Sequence, residues 1–279
     1  MRSVLTALVL VLLSAAPAIS EQFLGRTVAI SDGRSDTSVA APVIIAMHGF
    51  LGTSRNMQRK TSFDQLARRN GFVVVYPNGE GRRWNDGRSP DNPVDDVGYL
   101  SALIGSLVSD GLADPQRVYL TGHSNGGGMA MRMACDRPDL IAAISVVATK
   151  LPTAYTCANG AAVPAILFHG TEDPIAPHTG RPEGSRLGAT LSAQDSLAVW
   201  ERRNRCSGAV TTQEIDRAND GTEAHISQYA PCTAPLTYVL IHGHGHDWPG
   251  VGQRSTRLQG PATREVDAAQ LSWWFFSAL

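Results

Sequence analysis

The chain has 279 residues, 43% of them apolar and 18% charged, with a formal net charge of -1. That length suits one large α/β domain and leaves two cramped. The balanced charge gives no reason to expect nucleic acid or an anionic membrane as partner, and no disordered or collagen-like bias appears.

Arg2 supplies a short positive segment, and Val4 to Leu13 form an apolar run broken only by Thr6. Small residues follow (Ser14, Ala15, Ala16, Pro17 and Ala18), with cleavage expected after Ala18 or Ser20. This predicts a signal peptide over residues 1–20 and a secreted or periplasmic mature chain over 21–279. The run is about half the roughly 20 residues of a spanning helix, so no membrane anchor is expected.

Short apolar runs then alternate with helix-like stretches. Val43 to Met47 predicts a strand, Phe63 to Arg69 a helix stopped at Asn70-Gly71, and Phe72 to Tyr76 a strand. Asp96 is expected to cap a helix running to about Asp110. Arg117 to Leu120 reads as a strand and Asn125 to Cys135 as a helix. Ile141 to Val147 and Ala165 to Phe168 read as strands. Asp195 to Asn204 and Thr263 to Phe276 read as helices, with a short edge strand and loops between Arg205 and Leu236. Such alternation implies a mainly parallel central sheet with helices on both faces.

The four cysteines, in an exported chain, suggest two disulfides. Of three possible pairings, Cys135–Cys157 with Cys206–Cys232 closes the most modest loops. No C-x-x-C pair is present, so a zinc site on these residues is not expected.

Gly122-His123-Ser124-Asn125-Gly126 is a G-x-S-x-G between a predicted strand and a predicted helix, the setting of an exposed nucleophilic serine. Gly122 and Gly126 would let helix and strand close on the turn. The Asn125 N–H would point from a helix N-terminus at a developing oxyanion. The fold that uses this turn places an acid and then a histidine later in the chain. Asp173, with Glu172 beside it, follows the strand ending near Phe168. His242, His244 and His246 stand at alternate positions after another apolar run. One of them serves as general base; on a regular strand all three would instead share a face and suggest a metal-dependent hydrolase. Position alone does not choose among them. His48-Gly49-Phe50 follows the first strand, and the Phe50 N–H is the second expected oxyanion donor; His48 itself reads as structural.

Together these residues resemble the secreted bacterial esterases of the poly(3-hydroxybutyrate) depolymerase family, related to the feruloyl and acetyl-xylan esterases of carbohydrate esterase family 1. The matching stretches include His48-Gly49-Phe50, Trp84-Asn85 and Val94-Asp95-Asp96-Val97-Gly98. They continue with Thr121-Gly122-His123-Ser124-Asn125-Gly126-Gly127, His169-Gly170-Thr171-Glu172-Asp173-Pro174 and Gly245-His246-Asp247-Trp248-Pro249-Gly250. The resemblance implies an α/β-hydrolase fold, Asp173 as the acid and His246 as the base, with no metal and no cofactor. It also supports the two adjacent disulfides. Trp84, Asn85, His244 and Trp248 become expected substrate contacts. The implied activity is hydrolysis of carboxylic esters: feruloyl or acetyl groups on polysaccharide fragments, or hydroxyalkanoate oligoesters. A catalytically inactive binding protein on the same fold is the reading that intact Ser124, Asp173 and His246 argue against.

Overall fold

A period of two sorts the residues of each central strand between two cores. In Ala41–Met47, Val43, Ile45 and Met47 join one core while Ile44 and Ala46 join the other. In Val73–Pro77, Val73 and Val75 part from Val74 and Tyr76 in the same way. Strands covered on both faces are apolar throughout, and these are. The computed structural model describes residues 19–89, 91–155, 157, 160–208, 210–250 and 256–279. The expected signal segment lies outside them, apart from Ile19 and Ser20.

In chain order the strands are β1 (Ile19–Phe23), β2 (Arg26–Asp32), β3 (Ala41–Met47), β4 (Val73–Pro77) and β5 (Ala113–His123). They continue with β6 (Ala143–Val147), β7 (Ala165–Gly170), β8 (Val210–Ile215), β9 (Glu223–Tyr229) and β10 (Leu236–His242). The helices are α1 (Ser54–Lys60), α2 (Phe63–Asn70), α3 (Asp96–Ser109), α4 (Asn125–Asp136), α5 (Ala193–Arg203) and α6 (Ala268–Ser277). One sheet runs β1-β2-β4-β3-β5-β6-β7-β10-β9-β8. From β4 to β10 the strands are parallel, and antiparallel pairs extend both margins. Helices α3, α4 and α5 cover one face through Leu100, Leu103, Met129, Met133, Leu197 and Trp200. Helices α1, α2 and α6 cover the other through Met57, Phe63, Leu66 and Phe276. Phe276 stacks on Tyr119 and Trp273 on Phe72, at 4.5 and 4.1 Å between ring centres. Trp274, on the same helix, is 61% exposed.

Three expectations need correction. Asp95, not Asp96, caps α3: its Oδ1 accepts from the Gly98 N–H at 2.8 Å, the reach of a side chain just outside the first turn. Asp96 turns inward and accepts from Arg26 Nη1 at 2.5 Å and the Asn85 N–H at 2.6 Å. The last helix begins at Ala268, capped by Asp267. The preceding residues are held elsewhere: Thr263 meets the Thr222 hydroxyl, and Glu265 accepts the amides of Arg217 and Ala218. The stretch expected to be loop with one short strand contains β8 and β9; β9 pairs with β10 and β8 with β9. The β1–β2 hairpin and α1 were not anticipated. Cleavage after Ala18 would leave β1 whole, whereas cleavage after Ser20 would remove two of its five residues.

Both disulfides have the expected pairing, Cys135–Cys157 and Cys206–Cys232. Cys206 and Cys232 lie 26 residues apart and tie the end of α5 to the start of the β10 segment. Cross-linking a loop of that size restricts the unfolded chain. Replacing both cysteines by serine is expected to lower unfolding free energy by about 3 kcal/mol; denaturant titration of oxidised wild type beside the double variant checks this.

Candidate active site

Strand β5 ends at His123 and α4 begins at Asn125, so Ser124 alone makes the turn. Its φ of 54° and ψ of -118° are strained for a residue with a side chain, at a cost of about 1–3 kcal/mol. Two backbone hydrogen bonds hold it there, Ser124 N–H to the Val147 carbonyl at 2.8 Å and Gly128 N–H to the Ser124 carbonyl at 2.9 Å. Space is equally strict. A Cβ at Gly122 would sit 2.2 Å from the Gly126 carbonyl carbon, and one at Gly126 would sit 2.3 Å from the Met47 carbonyl oxygen.

The turn lies where the connections from neighbouring strands diverge. β3 leads to helices on one face and β5 to α4 on the other, the position at which parallel sheets open a crevice. β7 and β10 bring two more residues to the same end of the sheet. His246 Nε2 lies 2.9 Å from Ser124 Oγ, and His246 Nδ1 lies 2.7 Å from Asp173 Oδ2. The other carboxylate oxygen of Asp173 accepts the N–H groups of Ile175 at 2.9 Å and Ala176 at 2.6 Å. Burial by itself raises the Asp173 pKa. The hydrogen bond and charge of His246, with the Ala176 amide, outweigh burial and hold the carboxyl below its ordinary value. The hydrogen-bond network therefore assigns the proton of His246 to Nδ1 and leaves Nε2 to accept from the serine.

Ser124, His123, His246 and Asn125 line a cavity of about 760 Å³ together with Phe50, Trp84 and Asn85. Gly49 runs directly against the turn: a Cβ there would be 3.5 Å from Ser124 Cβ. The Phe50 amide thus comes from the segment beside the serine, while the Asn125 amide opens α4 and has no partner within the helix. Asn125 also clamps the turn to the loop after β4. Its Oδ1 accepts from the Trp84 N–H at 2.7 Å, and its Nδ2 donates to Trp84 O and Asp86 Oδ2, both at 2.9 Å. The sequence reading missed Asp86, although it stands next to Trp84-Asn85.

The other buried histidines are fixed to backbone. His123 Nε2 donates to the His246 carbonyl at 2.8 Å, and burial, with the nearby charge of Lys60, keeps this ring well below its ordinary pKa. His48 accepts the Gly79 N–H and donates to the Gly49 carbonyl, consistent with a structural role. Burial depresses His169 to about 3, and its Nε2 donates to the Ala176 carbonyl beside Asp173.

Two expected substrate contacts are not brought to the cavity. His244 is buried with Nε2 donating to the Asp247 carbonyl at 3.1 Å and Nδ1 accepting the Thr263 N–H at 3.2 Å. Trp248 is 1% exposed and packs edge-on against Phe63 in the core under α2. Trp84 and Asn85 do line the cavity, but the Asn85 amide is committed to the carbonyls of Asn92 and Val94. The Gly180–Gly188 loop borders the cavity through Arg181, Arg186 and Leu187. The three alternating histidines do not converge. β10 ends at His242, Gly243 turns the chain at φ 74°, and the rings of His244 and His246 are spoken for as above. Among the described residues the group with metal-ligand proximity is Glu214, Glu223 and His225, none of which lines this cavity.

Lys150 is buried, its Nζ donating to the Pro177 carbonyl at 2.8 Å. Burial pushes its pKa from 10.5 down to about 7; Asp173 opposes the fall, and the like charges of Arg181 and Arg88 add to it. Between those values the unfolded chain binds more protons than the folded one, so the folded state gains stability as pH rises from about 7 towards 10.5. Lys150→Met removes that dependence. Thermal melts are expected to show the variant's Tm falling relative to wild type as pH rises through this window. Gly126→Ala is expected to abolish soluble folded protein or, where it folds, the reactivity of Ser124; circular dichroism and fluorophosphonate labelling distinguish the two.

Known proteins resemble this chain along most of its length. The model of the prolyl oligopeptidase family matches residues 60–158. NocK of Nocardia uniformis subsp. tsuyamanensis is 27% identical over 235 residues, 75% of this chain and 66% of its own length. Feruloyl esterase B of Piromyces equi is 27% identical over 218 residues, 74% of this chain but 40% of the relative. Feruloyl esterase C of Emericella nidulans is 26% identical over 255 residues, 89% and 82% of the two chains. The chain therefore spans less than two thirds of the first two of these relatives. Among solved structures, the acetyl xylan esterase from Aspergillus awamori superposes with a TM-score of 0.61 at 18% identity, over 85% of this chain and 96% of that one. The Bacillus cereus carboxylesterase gives 0.55 at 14% identity, over 92% and 96%. With its mainly parallel sheet, its helices on both faces and these neighbours, the chain has the α/β-hydrolase fold.

Proposed function

We propose that the protein is a serine carboxylic-ester hydrolase whose catalytic domain is residues 21–279. The observation that carries this reading is the chain of hydrogen bonds from Ser124 Oγ through His246 to Asp173, 2.9 and 2.7 Å long, at the wall of the cavity. In the first step His246 Nε2 takes the Ser124 proton as Oγ attacks the ester carbonyl. Asp173, kept ionised, stabilises the imidazolium and fixes its orientation. The N–H groups of Phe50 and Asn125 receive the oxyanion; loss of one such donor typically costs about 3 kcal/mol. The protonated imidazole hands its proton to the departing alcohol. Water then attacks the acyl-enzyme with His246 again as base, releasing the acid.

The feruloyl and acetyl xylan esterases among the relatives and fold neighbours support feruloyl or acetyl esters on polysaccharide fragments as substrates. The motifs around Ser124 and His246 equally support hydroxyalkanoate oligoesters. The apolar segment before Ala18 and the two disulfides support an exported enzyme.

The test is hydrolysis of methyl ferulate beside a soluble 3-hydroxybutyrate oligomer, with fluorophosphonate labelling run in parallel. Ser124→Ala is expected to lower kcat by at least about 10⁴-fold and to abolish labelling. Activity retained in Ser124→Ala would overturn the serine mechanism.

A further inference from the structure

The cavity beside Ser124 carries more positive charge than its own acids neutralise. Lys60, Arg83, Arg88, Arg181 and Arg186 line it, against Asp86 and Asp91. Two of these cations are matched: Lys60 Nζ donates to Asp247 Oδ1 at 2.5 Å and Arg88 Nε to Asp86 Oδ1 at 2.8 Å. Asp86 is further engaged by Asn125. Arg83, Arg181 and Arg186 form no ion pair among the described residues.

Arg181 is the most informative of the three. Its Nη1 reaches the Ile175 carbonyl at 3.3 Å, and its Nε is buried with no hydrogen-bond partner among the described residues. A guanidinium N–H taken out of water without an acceptor is destabilising, and guanidinium geometry matches a carboxylate. Like charge crowds it too: burial and Arg88 lower the Arg181 pKa, while Asp86 and Asp173 oppose them. An incoming anion would relieve both the missing acceptor and the repulsion. Apolar surface from Phe50, Ile175 and Leu187 lines the same space, so the ligand that fits has a short apolar body and an anionic group.

We propose that Arg181, with Arg83 and Arg186, binds a carboxylate carried by the ester substrate in addition to the scissile ester group. The proposal rests on the serine-esterase reading and narrows its substrate class. Hydroxyacid oligoesters with a free carboxyl end, or esters on uronate-bearing glycans, satisfy it; neutral feruloyl and acetyl esters do not.

Two matched pairs of esters test it and locate the carboxylate. In 4-acetoxybenzoate against 4-acetoxybenzamide the charge is on the alcohol portion. In mono-4-nitrophenyl glutarate against 4-nitrophenyl valerate it is on the acyl portion. In at least one pair the wild type is expected to prefer the anion by about tenfold in kcat/KM, the worth of one charge-assisted hydrogen bond. Arg181→Gln is expected to erase most of that preference through KM while hydrolysis of the neutral partner holds. A merely structural Arg181 would instead depress both members of a pair together. The double variant Arg83→Gln with Arg186→Gln changes exposed side chains only, and is expected to reduce the preference without loss of folding. Equal cleavage of both members of both pairs by wild type would overturn the carboxylate site and leave the esterase reading intact. A preference unchanged in both variants would overturn the assignment to these arginines. Failure to cut any of the four esters would overturn both readings.

Discussion

The strained turn at Ser124 is the constraint around which the rest of the site is arranged. A side chain at φ 54° holds its conformation only while its surroundings over-determine it. Here they do so through backbone. The turn is pinned to β6 by the Val147 carbonyl and abuts the end of β3 at Met47, with no room for a Cβ at either flanking glycine. The apolar strands β3, β5 and β6 are therefore more than filler for two cores. Their parallel register sets where the turn lies and which amides lie beside it.

Electrostatics complete what packing begins. Asp173 is buried, yet its two backbone donors and His246 keep it ionised. The surrounding histidines are held neutral by burial, so the negative charge of Asp173 faces His246 without a competing imidazolium. His123 adds a second restraint by donating to the His246 carbonyl, which anchors the histidine loop to the serine turn through backbone rather than through the reacting nitrogens.

What was legible in the sequence followed from local pattern. Ser124 stands in a strand–turn–helix context that few other arrangements fit, and the double-sided apolar runs of β3 to β7 announce buried parallel strands. The positions of Asp173 and His246 were readable because each follows such a run, although choosing His246 over its two neighbours needed a family resemblance. His244 and Trp248 were misread because sequence proximity to His246 says nothing about direction. Gly243 and the pairing of this loop with the segment near Thr263 turn both side chains into the protein. Asp95 and Asp96 were indistinguishable for a similar reason: the inward role of Asp96 depends on Arg26, far away in sequence. The margins were least legible, since β8 is exposed along nearly its whole length and β9 is largely half-buried, and their strand character comes from the pairing of β9 with β10 and of β8 with β9 rather than from a buried face.

The division of labour within the loop after β7 links the two halves of the site. Asp173 sits at its start, bound to the amides of Ile175 and Ala176, and Arg181 reaches back to the Ile175 carbonyl from further along. Lys150 holds the same segment at Pro177. Orientation of the base and the charge of the cavity wall are thus carried by one stretch of chain, fastened at several backbone points. A shift of that stretch would move the acid of the hydrogen-bonded chain and the unpaired guanidinium together.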